Sequence, residues 1–196
     1  MGKLDGTRTL ENLMKAFAGE SQARMRYTYF ASIAKKEGYE QIAAIFQETA
    51  DNEKEHAELF YKHIVKNVDE LPVTIHVDAD YPVELRSTLE NLKASATGEN
   101  EEWTKLYPKF ADIAEEEGFK DIANTFRQVA KVEERHEARY LKLAKNVEEG
   151  KVFKKNKKVL WKCRNCGYVL EAEEAPEKCP ACQHARSYFE LFVENY

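Results

Sequence analysis

Hydrophobic residues recur at intervals of three and four along the N-terminal part of the chain, as they do on the buried face of an α-helix. Gly38 and Gly118 each follow a long periodic stretch, and glycine is common just beyond a helix end. The pattern predicts four helices, over residues 9–36, 39–65, 82–117 and 119–147. Residues 67–81 break the pattern and contain Pro72, so we expect them to form a long crossover between the second and third helices.

The second predicted helical pair repeats the first. Glu37-Gly38-Tyr39 recurs as Glu117-Gly118-Phe119, and Ala18-Gly19-Glu20 recurs as Thr97-Gly98-Glu99. Two similar hairpins joined by one long connection predict an all-α four-helix bundle of the ferritin-like type over residues 1–149.

The composition changes beyond Gly150. Residues 151–158 contain five lysines, which we interpret as a solvated linker, with a docking patch for an acidic partner as the alternative. From Val159 onward the segments are short, aromatic and rich in turn residues, which predicts a small β domain. The chain therefore divides into residues 1–149 and residues 150–196.

Charged residues make up 33% of the chain and the net charge is −5, so the composition gives no reason to expect nucleic-acid binding. No apolar run approaches the roughly 20 residues that a membrane-spanning helix needs, and the N-terminus shows no apolar signal-peptide core. All four cysteines stand in Cys-x-x-Cys pairs, which fits metal binding in a reducing compartment. We therefore expect a cytoplasmic protein that does not bind membranes.

Two Glu-x-x-His motifs, Glu53/His56 and Glu133/His136, stand 80 residues apart. Residues three apart share a helix face, so the carboxylate and the imidazole of each motif can together bind one metal ion. At about 100° per residue, both pairs fall on the apolar stripes of their helices. A single motif on a charged helix is usually surface decoration, but two copies in register on apolar stripes favour metal binding.

Glu20 and Glu99 fall on the apolar stripes of the other two helices, each directly after a glycine. Burying several carboxylates without partners is costly, so such a cluster needs multivalent cations. Carboxylate and imidazole ligands together suit iron or manganese, and zinc is the alternative. The sequence therefore predicts a two-metal site in the bundle core.

The two hairpins differ in length at one place. Glu99 and Phe110 are one residue further apart than Glu20 and Phe30. An extra residue inside a helix is accommodated as a π-bulge, often at a functional site, and Pro108 in this stretch removes one backbone donor. We therefore expect the third helix to be irregular between Glu99 and Phe110.

Glu102 stands three residues after Glu99, where the first hairpin has Ala23. It is either a surface glutamate or a seventh metal ligand. We favour the ligand, mainly because of the family resemblance described below.

The four cysteines form a second candidate site. Cys163 and Cys166 are separated from Cys179 and Cys182 by twelve residues, and four thiolates in this order make a tetrahedral metal site. Structural zinc ribbons use similar spacing. We favour iron, because a single iron can carry one electron at a time to a two-metal core.

Taken together, these motifs resemble rubrerythrins over essentially the whole chain. The resemblance rests on Ala18-Gly19-Glu20, Glu53-x-x-His56, Gly98-Glu99-x-x-Glu102, Glu133-x-x-His136, Cys163-x-x-Cys166-Gly167-Tyr168 and Cys179-Pro180-x-Cys182. No ligand position departs from the family pattern. The resemblance implies that the C-terminal β domain is rubredoxin-like.

The resemblance also implies roles for these residues. It assigns two irons to Glu20, Glu53, His56, Glu99, Glu102, Glu133 and His136, and one rubredoxin-type iron to Cys163, Cys166, Cys179 and Cys182. Glu53 and Glu133 would bridge the two irons. His56 and Glu102 would alternate on the iron that Glu20 serves, as its redox state changes.

The other iron would be served by Glu99 and His136, and two family tyrosines, Tyr27 and Tyr107, would hydrogen-bond the ligand carboxylates. The implied activity is that of a non-haem di-iron peroxidase, which reduces hydrogen peroxide to water in defence against oxidative stress. Electrons would come from NADH through a separate reductase or a rubredoxin, and enter at the four-cysteine iron. Rubrerythrins form head-to-tail homodimers, so we expect electron transfer between subunits.

Two alternatives come from other functional classes. A ferroxidase or iron-storage protein would need only the bundle, and the attached four-cysteine module argues against it. A zinc-stabilised metal-binding protein would leave Glu102 and the one-residue insertion without a purpose. His63, His76 and His184 receive no role, since packed or hydrogen-bonded histidines are common.

Overall fold

The computed structural model describes residues 3–195, which form a helical bundle followed by a small sheet. The helices are α1 (Arg8–Lys36), α2 (Glu40–Asn67), α3 (Thr88–Glu101), α4 (Tyr107–Glu116) and α5 (Lys120–Glu148), and the π-helical segment Glu102–Leu106 joins α3 to α4. The strands are β1 (Lys154–Cys163), β2 (Val169–Glu174) and β3 (Phe189–Leu191). This architecture confirms the predicted fold class. Within residues 3–195, no helix is long and apolar enough to span a bilayer.

The start of the third predicted helix was wrong, because α3 begins at Thr88 and residues 82–87 are not helical. Ser87 ends the crossover with a capping box. Its hydroxyl accepts from the Glu90 backbone N–H, and the Glu90 carboxylate accepts from the Ser87 N–H. The crossover therefore occupies residues 68–87. The other three predicted helices match α1, α2 and α5 within two residues at each end.

Matching carboxylates tie the two hairpins together. The Thr88 N–H donates to the Glu37 carboxylate at 3.0 Å, and the Thr9 N–H donates to the Glu117 carboxylate at 2.9 Å. Each glutamate lies in the turn of one hairpin and faces the first turn of a helix in the other, where negative charge is stabilised by the helix dipole. These contacts place the start of α3 beside the end of α1. The crossover from the end of α2 must therefore run along the length of the bundle.

Two apolar clusters fill the bundle. One is built around Phe60, Tyr107, Phe110 and Phe126, and the other around Tyr27, Phe30, Phe46 and Tyr140. Each cluster contains a buried tyrosine whose hydroxyl reaches a buried glutamate. The charged groups therefore lie between two layers that exclude water.

The C-terminal sheet is antiparallel, with strand order β2-β1-β3. Its own small core contains Trp161 and Phe189. The Phe153 ring stacks on Tyr39 with centroids 6.1 Å apart, and Ser187 Cβ lies 3.7 Å from the point where Gly38 would carry a Cβ. The sheet thus packs against the α1–α2 turn of its own chain.

Candidate metal centres

The bundle buries the acidic side chains that the sequence predicts as ligands. Glu20, Glu53, Glu99 and Glu133 are at most 1% exposed, and His136 is 4% exposed. Glu53 and Glu133 each precede a histidine by one helical turn, so carboxylate and imidazole point to the same side. Such burial of carboxylates is rare without a charged partner or a cation.

The ligand atoms converge in two groups. One comprises Glu20, Glu53, His56 and Glu133, and the other comprises Glu53, Glu99, Glu133 and His136, with the atoms of each group within 4.8 Å of one another. Glu53 and Glu133 belong to both groups and therefore lie between them. The two imidazoles belong to different groups, and their ring centroids are 6.2 Å apart. The arrangement matches a site for two neighbouring cations.

Glu102 is not part of either group in the described residues. His56 takes the place beside Glu20, with its Nδ1 atom 2.9 Å from Glu53 and 3.0 Å from Glu133. Glu102 is half-buried and lines a cavity next to the site. Burial and the nearby Glu99 and Glu133 carboxylates hold the pKa of Glu102 well above its usual range.

The donor set fits metal cations because it leaves buried atoms unsatisfied. Six atoms of these ligand groups make no well-formed hydrogen bond within residues 3–195: Glu20 Oε2, Glu53 Oε1, Glu99 Oε2, both Glu133 carboxylate oxygens and His136 Nδ1. The imidazole nitrogens lie within ion-pair distance of some of them, with His136 Nδ1 2.8 Å from Glu133 Oε2. An unpaired buried polar atom is destabilising, and an unpaired buried charge more so. Two multivalent cations would satisfy all six atoms, and oxygen with imidazole nitrogen is a donor set that iron accepts.

The pKa shifts of the ligand groups show that the site without cations holds protons. Burial raises the pKa of Glu20 well above its usual range, helped by Glu133 and Glu53, and burial chiefly raises the pKa of Glu99 to about 8. Burial opposes protonation of the histidines. The adjoining carboxylates outweigh it, and they raise the pKa of His56 to about 10 and that of His136 to about 12. Cation binding here must therefore release protons.

Two tyrosines hold carboxylates of the site from opposite ends. The Tyr27 hydroxyl donates to Glu99 Oε1 at 2.5 Å, and the Tyr107 hydroxyl donates to Glu20 Oε1. Both tyrosines are 2% exposed. Such partners fix the orientation of a ligand carboxylate and tune the metal that it holds.

The π-helical segment Glu102–Leu106 confirms the expected irregularity in the third helix. The Tyr107 N–H donates to the Glu102 carbonyl, five residues earlier, and Pro108 follows at the start of α4. The wider turn absorbs the inserted residue. It allows Glu99 before the segment and Tyr107 after it to face the same core.

The four cysteines form a separate cluster in the sheet domain. The sulfurs of Cys163 and Cys182 are 3.8 Å apart, and those of Cys166 and Cys179 are 3.7 Å apart. Four sulfurs at about 2.3 Å from one ion would be separated by about 3.8 Å, so the spacing suits a tetrahedral metal.

Matching backbone turns build this cysteine cluster. The Gly167 N–H donates to the Cys163 carbonyl at 2.8 Å, and the Gln183 N–H donates to the Cys179 carbonyl at 2.9 Å. Gly167 and Gln183 both have positive φ. The sequence motif indicates the glycine turn, but the left-handed glutamine had no sequence signal, because this backbone region disfavours most side chains.

Sequence reasoning missed the cavity beside Glu102 and the residues that line it. The histidines without an assigned role stay outside both core groups in the described residues. His63 Nε2 lies 2.9 Å from the Thr125 hydroxyl, which accounts for it as a hydrogen-bonded packing residue.

Fold and clusters together define a ferritin-like bundle with a carboxylate–histidine two-metal site, joined to a four-cysteine metal domain. A family model described as rubrerythrin matches residues 11–144, and one described as the rubredoxin-like domain of rubrerythrin matches residues 161–190. The chain belongs to the rubrerythrin family. The predicted family and the predicted cofactors, a di-iron centre and a rubredoxin-type iron, are thereby confirmed.

Relatives and solved structures agree with this assignment. The chain is 58% identical over 197 residues to rubrerythrin from Clostridium perfringens and 48% identical over 197 residues to that from Nitratidesulfovibrio vulgaris, with each full chain covered. Fully reduced nigerythrin superposes with a TM-score of 0.64 at 32% identity, covering 97% of this chain and 92% of its own. A Desulfovibrio desulfuricans bacterioferritin, with a TM-score of 0.65 at 22% identity, covers 74% of this chain and 82% of its own and shares the bundle fold. Family membership supports an oxidoreductase role.

Proposed function

We propose that this protein is a peroxidase that reduces hydrogen peroxide to water with electrons that enter through the four-cysteine iron. The observation that carries the proposal is the presence of both sites in one chain. Two cation positions share Glu53 and Glu133 in a water-excluding core, and a separate cluster of four sulfurs suits a one-electron metal. The reaction consumes two electrons and two protons for each peroxide, and it releases two water molecules.

When bound, the di-iron centre would supply the two electrons that reduction of the peroxide O–O bond requires, and the four-cysteine iron would supply one-electron transfer. The chain's own residues hold this chemistry in place. Glu53 and Glu133, which belong to both ligand groups, would hold both cations. Tyr27 and Tyr107 keep the end carboxylates oriented, and the two aromatic layers exclude water.

We assign His56 and Glu102 to alternate positions on one cation. In support, His56 stands within the group that contains Glu20, while Glu102 lies just outside it on a cavity wall. The π-helical segment begins at Glu102, so the backbone there already departs from regular α-helix. Single-turn π-bulges inside α-helices occur frequently at functional sites.

We further propose a head-to-tail homodimer in which the four-cysteine iron of one subunit reduces the di-iron centre of the other. The sheet packs at the α1–α2 turn of its own bundle. Glu53 lies 14 residues beyond Tyr39, about 21 Å along α2 at 1.5 Å per residue. A partner subunit's sheet could approach the site along the bundle side by a shorter path. We place this activity in the cytoplasm, with a rubredoxin or an NADH-dependent reductase as the electron donor.

Peroxide consumption by the iron-loaded protein tests the proposed activity. The protein is supplied with NADH, a reductase and hydrogen peroxide, and NADH oxidation is followed. Glu53→Ala removes a shared carboxylate and should abolish turnover. The matched control, Glu55→Ala, changes an exposed glutamate on the same helix and should leave turnover intact. Uptake of many irons per chain without peroxide reduction would instead support a ferroxidase or storage role.

Mixed dimers test the route of the electrons. Cys163→Ser should leave the bundle folded and abolish NADH-driven turnover. Glu53→Ala should retain the four-cysteine iron. A dimer containing one chain of each kind keeps one intact pair of sites across the interface, so it should regain part of the activity. Inactive heterodimers, with both parent chains folded, would show that electrons pass within a chain.

A further inference from the structure

Gly19 and Gly98 directly precede Glu20 and Glu99, and both lie inside helices. Glycine in a helix interior is destabilising relative to alanine, so its presence twice at matching positions needs a reason. Neither glycine has a positive φ. A Cβ atom on Gly98 would meet nothing within 4 Å, and one on Gly19 would meet only Tyr81, at an ordinary contact distance of 3.8 Å.

The two glycines share one feature, which is that both line the same cavity. This cavity has a volume of about 730 Å³ and lies between α1 and the α3–π segment, with residues 78–84 of the crossover along it. Because Gly19 and Gly98 have no side chains, the space extends to the helix backbones on both sides.

The cavity adjoins the metal site through Glu102, which lies outside both ligand groups, and through a tyrosine that binds a ligand carboxylate. Glu102 and Tyr107 both line it, and the Tyr107 hydroxyl donates to the Glu20 carboxylate. Most of the wall surface is apolar, with Tyr81, Val83 and Leu106 contributing to it, and charged side chains that include Lys15, Asp80 and Lys109 also line the cavity. A pocket of a few hundred Å³ with a mostly apolar wall and a few polar groups is typical of sites for organic molecules.

A hydrogen peroxide molecule has two heavy atoms and no apolar part, so it leaves most of this volume unused. We propose that the cavity binds the organic group of an alkyl or aryl hydroperoxide, which the adjacent centre reduces to the alcohol. This inference rests on the peroxidase function proposed above. The O–O bond of ROOH breaks, two electrons arrive by the same route as for hydrogen peroxide, and two solvent protons complete ROH and water.

The polar part of the wall suits this class of substrate. Arg26 and Gln22 line the same cavity, and the Arg26 Nε–H donates to the Gln22 side-chain oxygen at 2.6 Å. They lie on α1, across from Glu102 on the π segment. An amphipathic hydroperoxide would place its oxygen atoms toward Glu102 and its organic group against Tyr81 and Val83.

Substitutions that fill the cavity test the proposal without touching a ligand. Gly98→Leu and Ala94→Leu place larger side chains on the α3 wall, and leucine is well tolerated in helices. Ala138→Leu, on an exposed position of α5, is the matched control. Cumene hydroperoxide and hydrogen peroxide are compared as substrates of the iron-loaded protein. Binding of 2-phenyl-2-propanol, the product alcohol, is measured by calorimetry on the oxidised protein.

The wild-type protein should reduce both peroxides and bind the alcohol. Each cavity-filling variant should lower kcat/KM for cumene hydroperoxide, relative to that for hydrogen peroxide, by about tenfold or more, and should weaken alcohol binding. Ala138→Leu should change neither. Two different variants keep the test decisive if one of them misfolds.

The possible failures are distinguishable. No reduction of hydrogen peroxide by the wild type would overturn the proposed function itself. Reduction of hydrogen peroxide without reduction of cumene hydroperoxide or alcohol binding would overturn only this inference. Equal effects of the variants on both peroxides would do the same. If the cavity-filling variants lose the dimeric state of the wild type but keep its selectivity between the two peroxides, a second copy of the chain occupies the cavity instead.

Discussion

The Tyr27 hydroxyl, on the first helix, donates a 2.5 Å hydrogen bond to the Glu99 carboxylate on the third. The reverse contact is also present, since Tyr107 on the second hairpin donates to Glu20 on the first. Each hairpin therefore supplies the partner for the other hairpin's glutamate. The site can form only when both hairpins are packed together, which couples metal binding to folding of the whole bundle.

Tyr27→Phe should weaken metal binding about 10- to 100-fold while the bundle stays folded. The change removes the hydroxyl that holds Glu99, but it keeps the ring that packs on Phe46 and Tyr140. Competition with a chelator of known affinity measures the effect. Tyr29→Phe, at a half-exposed tyrosine on the same helix, is the control and should bind metal normally.

Deletion of Lys105 should abolish binding of two metals and lower the free energy of unfolding by about 3 kcal/mol. Removing one residue from the π-helical segment turns everything beyond it by about 100°, so Glu99 and Tyr107 can no longer both face the core. Metal analysis and urea unfolding measure the two effects. Lys105→Ala keeps the chain length and should behave like the wild type, because Lys105 is exposed.

Chelated protein should become less stable as the pH rises from about 5 to 9. The pKa is raised in the folded state to about 8 for Glu99, about 10 for His56 and about 12 for His136, from ordinary values of 4.5 for the carboxyl and 6.5 for the imidazoles. The folded chain therefore holds more protons than the unfolded chain over this range. Its free energy of unfolding falls by about 1.4 kcal/mol per pH unit for each extra proton.

The lowered pKa of Glu53 does not reverse this trend, because burial is outweighed there by His136 and His56 and its own window lies below its ordinary value of 4.5. Urea unfolding at several pH values measures the slope. Metal-loaded protein is the control, since cations replace the protons and the slope should largely disappear. A flat profile for the chelated protein would contradict the prediction.

Gly98→Ala should raise the free energy of unfolding by about 1 kcal/mol, because alanine favours the helix and its Cβ meets nothing within 4 Å. Gly118→Ala is the contrasting variant. Gly118 has a φ of +89°, which alanine adopts only with strain, so this change should be destabilising by about 1 kcal/mol or more. Thermal unfolding of both variants tests the difference between the two positions. The backbone conformation requires glycine at Gly118, whereas at Gly98 it does not. A destabilised Gly98→Ala would mean that the glycine serves packing.

Patterns along the chain were sufficient for much of the fold. The apolar periodicity of 9–36 and 119–147 predicts α1 and α5 within one residue, because a helix long enough to bury one face repeats its pattern many times. The extra residue before Phe110 predicts the π-helical segment. In a regular α-helix, one inserted residue would turn either Glu99 or Phe110 away from the core. The division of the chain at Gly150 stays a prediction.

Local contacts were harder to predict. The sequence pattern predicts helix over residues 82–87. In the structure α3 begins only at Thr88, where the Ser87 capping box and the Glu37–Thr88 contact fix its first turn. The capping box is a sequence signal that the periodicity obscured. The contact with Glu37 joins residues 51 apart, and only the packed hairpins bring them together.

The sequence by itself determined which side chains face the core and that two metal clusters are present, because helical spacing and Cys-x-x-Cys spacing act over a few residues. The tertiary structure decided which groups meet. It pairs Tyr27 with Glu99, leaves Glu102 outside both groups, and aligns Gly19 and Gly98 along one cavity. These relationships depend on the relative rotation and height of separate helices, which packing sets and one-dimensional periodicity does not contain.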